Sequence, residues 1–283
     1  MTTVPTPPAA NAASPFALDG PIHHPTTLDV VRSEWLKLRT VRSTFWTLAV
    51  TVVVMVGFSV LVCAAQVATW DQLSASEQQA NPIDGAQSAL AGLSLAQLAV
   101  VVLGVMVISS EYSTGGIRST FTAVPRRARV VVGKAVVLGL STLVVGLVAS
   151  FAAFFVGQLI LATKHFDVGL GDPDVLRAVV GSGLYLAACA LFGLGIGLIV
   201  RNTGGGVTIS VAALFVLPPL SMLIPGTVGE QIQKFITSNA GQAVAATGSS
   251  PDRLGPWVGY LVFTVWWLVL IGVGTWLVRR RDV

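Results

Sequence analysis

The sequence predicts an all-α membrane protein of six transmembrane helices, with an amphipathic helix before the first and a short surface helix in one connection. Three observations predict it. Hydrophobic residues make up 53% of the 283 residues and charged residues only 11%, against about 25% charged in a soluble domain. Six apolar runs approach or exceed the roughly 20 residues that cross a ~30 Å hydrocarbon core. Lys and Arg concentrate on alternate connections, the asymmetry that orients membrane helices. A mean hydropathy of +0.78 leaves too little polar surface to cover a globule. That excludes a soluble enzyme, a disordered regulator and a secreted disulfide scaffold.

Residues 1–27 hold six of the 14 prolines and no Lys or Arg. Such a composition cannot bury enough surface to order itself, so it is expected to be a disordered cytoplasmic tail before a six-span transmembrane domain at 28–283. It lacks the basic start and apolar centre of a signal peptide. His23-His24 has no further ligand nearby and reads as solvated tail. Then Leu28, Val31, Trp35 and Leu38 recur at steps of three and four, one face of a helix. Arg32, Lys37, Arg39 and Arg42 surround that stripe, and Thr26-Thr27 can cap its start. A basic amphipathic helix joined to a hydrophobic span lies in the headgroup region.

The expected spans are Thr44–Ala65, Ala89–Ser109, a crossing within Ala135–Ala162, Ala178–Val200, Val207–Ile224 and Trp257–Val278. The third run is longer than one crossing needs, so its helix is tilted or projects beyond the bilayer. Pro218-Pro219 is expected to kink or end the fifth. Trp46 and Trp70 bracket the first span; Trp257, Tyr260 and Trp276 bracket the sixth, as interfacial aromatic belts do. Between Pro225 and Pro256, Val228, Ile232, Phe235 and Ile236 form a short apolar stripe, and 240–246 is free of charge. One or two short helices leaning into the membrane are expected there.

The 17 Lys and Arg divide thirteen to four. One side holds Arg32, Lys37, Arg39, Arg42, Arg118, Arg126, Arg127, Arg129, Lys134, Arg201, Arg279, Arg280 and Arg281. The other holds Lys164, Arg177, Lys234 and Arg253, together with most of the acids. The basic side is expected to be cytoplasmic and to carry both termini.

Candidate chemistry is sparse. There is no G-x-x-x-x-G-K-[ST] loop, no Cys/His grouping with metal spacing and no triad-like set, with only three His. The six spans as delimited contain no Asp, Glu, Lys, Arg or His, which argues against proton-coupled transporters and intramembrane enzymes. No catalytic, cofactor or metal site is expected on the chain, and no nucleic-acid partner. Cys63 and Cys189 sit in apolar runs and read as small buried hydrophobes. Gln97 and Gln158 are the notable polar groups and are read as interhelical hydrogen bonds. Gly193 and Gly197 form a G-x-x-x-G pair, read as close packing within the chain in preference to a dimer seam.

The second connection, Glu111 to Arg129, is longer than a turn requires. Ile117, Phe121 and Val124 fall at i, i+4 and i+7, one apolar helical stripe. Pro125 ends that helix and three Arg follow. Glu111 stands at the membrane edge with Arg118 and Lys134 as possible partners. A short helix lying across the cytoplasmic face is expected, its stripe turned to a partner and Arg126, Arg127 and Arg129 to headgroups or a solvated rim.

Glu111-Tyr112-Ser113-Thr114-Gly115-Gly116-Ile117-Arg118, then Val124-Pro125-Arg126-Arg127 and Gly133-Lys134, resembles the corresponding loop of type-2 ABC exporter permeases. Ser33-Glu34-Trp35-Leu36-Lys37-Leu38-Arg39 with Arg42-Ser43-Thr44 resembles the elbow helix of actinobacterial members, and Ser238-Asn239-Ala240-Gly241-Gln242 their external loop. The resemblance runs from Leu28 to Arg281 in order and topology. Gly116 departs from it, standing where Thr is usual.

The resemblance implies a six-span permease with an elbow helix (Trp35, Leu38, Arg39, Arg42) and a coupling helix. It assigns coupling to Glu111, Gly115, Gly116, Ile117, Arg118, Phe121, Val124 and Pro125. It further implies a multi-pass subunit of the bacterial plasma membrane, paired with a second permease and with cytoplasmic ABC ATPase subunits that hold the ATP and Mg. The cargo of such an exporter would be hydrophobic or amphipathic: a drug, a peptide antibiotic or a lipid. The rival reading is an ATP-independent polytopic protein, such as a lipid scramblase or a structural membrane partner.

Overall fold

The computed structural model describes residues 26–117, 127–248 and 253–280. They are all-helical, with six helices long and apolar enough to cross a membrane: Arg42–Trp70, Gly85–Ser113, Arg127–Lys164, Val175–Val200, Thr203–Ser221 and Pro256–Arg280. Residues 1–25, nearly all of the expected tail, lie outside the described residues.

In chain order the helices are α1 (Thr27–Thr40), α2 (Arg42–Trp70), α3 (Ala75–Ala80), α4 (Gly85–Ala89), α5 (Leu93–Ser113), α6 (Arg127–Leu161) and α7 (Val175–Val200). After them come α8 (Thr203–Val211), α9 (Leu217–Ser221), α10 (Gly226–Phe235), α11 (Thr237–Gln242) and α12 (Pro256–Arg280). Helix α4 leads into α5 as one span, and α8 joins α9 through a π-helical turn at Ala212–Val216.

Helix α7 is the centre of the bundle. In its most apolar window 78% of residues are buried, against 22% for α2, 22% for α8–α9 and 17% for α12. It packs against α5, α6 and α12. Glycines close the α5–α7 crossing from both sides. A Cβ on Gly193 would strike the Val101 carbonyl oxygen, and one on Gly104 would strike that of Ala190. A Cβ on Gly197 would lie 2.6 Å from Ile108 Cγ2. The G-x-x-x-G pair therefore serves packing within the chain, because small residues let two backbones approach in lipid.

Polar side chains knit this crossing and the packing of α6. Tyr185 of α7 is fully buried and its hydroxyl donates to Gln97 Oε1 of α5 at 2.5 Å. Gln158 of α6 donates to the Gly85 carbonyl at 3.2 Å and accepts from Val168 N–H at 2.9 Å. Both glutamines thus bridge elements, as an apolar medium demands of buried amides. Both cysteines are free and buried. Trp46, Trp257 and Trp276 are exposed, as belt residues would be.

The fifth span runs Thr203–Ser221, starting and ending earlier than expected. Asn202 caps it by accepting from Gly205 N–H at 2.9 Å, which lets the helix begin at the glycines. The π turn changes its register: Leu217 N–H goes to the Ala212 carbonyl. The Ala213 carbonyl then faces Pro218, which has no N–H. Thr237 Oγ1 supplies the missing donor at 2.9 Å, so the segment after α10 is tied into this irregularity.

That segment is more than a surface loop. Ile232 and Phe235 of α10 are exposed, and the Val228 side chain lies outside the described ones. Ala240, Ala243, Val244 and Ala245, by contrast, are buried against α7 and α12. Gly241 sits under two rings; a Cβ there would come within 2.5 Å of Tyr185 and 2.7 Å of Phe263. Arg177 Nη1 donates to the Val244 carbonyl at 3.1 Å, holding the segment to the start of α7.

Candidate functional site

The end of the bundle that carries the basic residues gathers α1 with the ends of α5, α6, α7 and α12. Thr26 begins α1 with a capping box: its hydroxyl accepts from Asp29 N–H, and the Asp29 carboxylate accepts from Thr26 N–H at 2.9 Å. The helix then lies against the first turns of α6. Val30 is 4% exposed and would meet a Cβ on Gly133 at 2.8 Å, so only glycine allows this approach. Helix α6, with 35 residues and roughly 50 Å of length, projects past its span to provide this support.

Four charged side chains meet at that junction. Lys134 Nζ donates to Glu34 Oε2 at 2.7 Å and to Glu111 Oε1 at 2.6 Å. Lys37 Nζ donates to Glu34 Oε1 at 2.8 Å and to Glu111 Oε1 at 3.1 Å. The Lys134 side chain is 2% exposed and that of Glu34 6%, whereas Lys37 stays 44% exposed. Burial pulls the Lys37 ammonium down, but its contacts with Glu34 and Glu111 outweigh burial and hold it above the ordinary lysine value. Glu111 Oε2 is buried and accepts no hydrogen bond among the described residues. The cluster ties α1, α5 and α6 together with two cations and two anions, as a low-dielectric site requires.

Cations also hold the neighbouring helix ends. Arg127 Nη1 donates to the Val278 carbonyl at 2.7 Å and Arg201 Nη2 to that of Leu277 at 3.4 Å. These are final-turn carbonyls of α12, where positive charge complements the helix dipole. Arg201 adopts a left-handed φ of 57° and ends α7. Its guanidinium stacks 5.0 Å from the Tyr112 ring centroid. Ser109 and Thr203 share a 2.8 Å hydroxyl contact between α5 and α8.

Several expectations change here. The stripe Leu28, Val31, Trp35 and Leu38, expected to meet the headgroups, is a separate face from the one that packs on α6. Leu28 is 78% and Trp35 48% exposed, while Val30 and Glu34 are buried. A glutamate reads as solvent-facing until its counter-ion is in place, and Lys134 is that counter-ion. Leu38 lines the cavity beside the cluster, and Arg39 and Arg42 are exposed. The spans are not bare of charge once their helices are seen whole: Glu111 lies in α5 and Lys134 in α6. Arg127 does not simply face headgroups, because it holds α12.

Of the two cations near Glu111 in sequence, Lys134 reaches it; Arg118 lies outside the described residues, as do Phe121, Val124, Pro125 and Arg126. Gly115 takes a φ of 72°, a left-handed turn that suits glycine, Gly116 follows it, and Ile117 is 2% exposed. Glu34, Lys37 and Arg201 carry much of this site; Glu34 and Lys37 stand in the elbow-like stretch, but the motif assigns a site role to neither, nor to Arg201. The available signals were Glu34 and Lys37 at i, i+3 on one helix and a single lysine opening the longest apolar run.

A family model described as ABC-2 family transporter protein matches residues 30–229. The chain belongs to that family. It is thus a type-2 ABC transporter permease, a multi-pass transmembrane subunit that associates with an ABC ATPase. Such subunits are generally not catalytic themselves. No curated protein matches the chain. The matched region contains the four-charge cluster, both ends of the 114–126 connection and the first five spans of this ABC-2 chain.

Proposed function

We propose that this ABC-2 permease is the membrane half of an ATP-driven exporter in a bacterial plasma membrane, with both termini cytoplasmic. It moves a hydrophobic or amphipathic cargo out of the cytoplasm or inner leaflet. The observation that carries the reading is the cluster Glu34–Lys37–Glu111–Lys134. It locks α1, α5 and α6 into one unit at the base of the 114–126 connection. A push on that connection by an ATPase would move three helices together. ATP and Mg bind on the ATPase subunits, none on this chain. A second permease, identical or related, would complete the pathway. The poorly buried α2 and α8–α9, which flank α5, suit that contact or lipid.

The test is assembly. The permease is expected to copurify with an ABC ATPase as a complex with two permease chains by native mass spectrometry. Phe121→Ala is expected to weaken ATPase binding by about 2 kcal/mol or more, since large aromatics dominate such contacts, while the permease still inserts. Wild-type binding and transport in that variant would remove 114–126 from the coupling role.

Orientation has its own measurement. Single cysteines at Ser76 and Ser119 in a Cys-free background are expected to label from outside and only after lysis, respectively. Labelling of the Ser119 position in intact cells would invert the topology.

A further inference from the structure

Beside the charge cluster lies a cavity of about 210 Å³, walled by α1, the start of α2, α5 and α6. One end is charged, with Glu34, Lys37, Glu111 and Lys134; the rest is mostly apolar, with Leu103 and Val107 among its walls, and carries the hydroxyls of Ser43, Thr44, Thr47 and Ser110. It is smaller than the about 300–1,000 Å³ of pockets that enclose a drug-sized ligand. It therefore suits one end of a longer molecule whose remainder lies in lipid.

The charged end already shows what chemistry it holds. Lys37 Nζ, the tip of a flexible alkyl chain, sits 2.8 Å from Glu34 Oε1 and 3.1 Å from Glu111 Oε1. Its side chain is 44% exposed, unlike Lys134 at 2%. Lys134 contacts both carboxylates as well, from the buried side. Lys37 is a half-solvated second cation, and a pair of that kind adds about 1 kcal/mol at most. Its long stem also allows the ammonium to swing to the headgroup layer. The second oxygen of Glu111 is buried without a partner among the described residues.

We propose that this cavity is a seat for the head of a primary-ammonium amphiphile, which takes the position of the Lys37 ammonium between Glu34 and Glu111. Lys134 stays in place and keeps the carboxylates together. The ligand ammonium donates to the Glu34 and Glu111 oxygens that Lys37 releases. Its chain leaves along the apolar walls. The ligand is either a free long-chain amine or an aminophospholipid; both present the same head. The seat stands whether or not its occupant is exported.

The experiment measures binding of radiolabelled dodecylamine to the full chain in phosphatidylcholine nanodiscs, against empty nanodiscs, without ATPase or nucleotide. Its failure is therefore separate from a failure of the exporter reading. Saturable binding is expected, competed by unlabelled dodecylamine and not by dodecanol. Glu111→Gln is expected to weaken it about tenfold or more, the scale of a charge-assisted hydrogen bond. Lys37→Met, at a half-exposed position, is expected to fold normally and to tighten binding roughly fivefold by removing the internal competitor. Replacing phosphatidylcholine by phosphatidylethanolamine assigns the source. Loss of dodecylamine binding there identifies the lipid as the occupant, and retained binding identifies the free amine; the seat holds in both. Binding no greater than in empty discs, equal competition by dodecanol, or an unchanged isotherm in Lys37→Met would overturn the proposal.

Discussion

Lys134→Met is expected to cost about 3–5 kcal/mol, the scale on which a buried ion pair loses one partner. Lys134 is 2% exposed and is the more buried of the two cations that Glu34 and Glu111 share. Without it, two carboxylates stay close together with only the half-exposed Lys37 between them. Glu34, at 6% exposed, cannot reach water while α1 remains docked. The helix junction should open, lowering the thermal midpoint of the detergent-solubilised protein by on the order of 10 °C. Adding Glu34→Gln and Glu111→Gln to Lys134→Met should restore part of the loss, because it leaves no uncompensated buried anion. Intrinsic tryptophan fluorescence during heating reads both. A Lys134→Met protein that melts with the wild type would show that the cluster does not hold α1 to α6.

Gly193→Leu is expected to cost about 3 kcal/mol, the upper end of overpacking, or to prevent folding. The added Cβ would fall on the Val101 carbonyl oxygen, with Val101 Cγ2 at 3.1 Å. Backbone cannot turn aside as a side chain can, and the crossing is closed from the other side by Gly104 on Ala190. Helices α5 and α7 would have to separate, exposing Tyr185 and Gln97 to a medium in which their hydrogen bond is not replaced. Gly272→Leu supplies the comparison. No atom lies within 4 Å of a Cβ at Gly272, so that change should be neutral or gain a few tenths of a kcal/mol from helix propensity. Equal thermal midpoints for the two variants would show that the α5–α7 crossing is looser than its glycines indicate.

Both variants probe contacts of different legibility. The number of spans, their order and the irregular end of the fifth follow from hydropathy, periodicity and the Pro218-Pro219 pair. Insertion free energy adds residue by residue along a window, so it is written locally. The small residues at 193 and 197 were legible for the same reason, since their spacing alone puts them on one face. The buried face of α1 was not. Periodicity marks Leu28 and Trp35 as the stripe for the headgroups and gives no sign that Glu34 is buried against the bundle. The preference of a charged side chain depends on whether a counter-ion meets it, and Lys134 comes from 100 residues away. Arg127 and Arg201 on the final carbonyls of α12, and Thr237 on the carbonyl left free beside Pro218, are of the same kind. Apolar burial is favourable against almost any apolar neighbour, so composition is enough to predict it. A buried charge or carbonyl is tolerable only against a partner at hydrogen-bond distance, and only the folded chain supplies that partner.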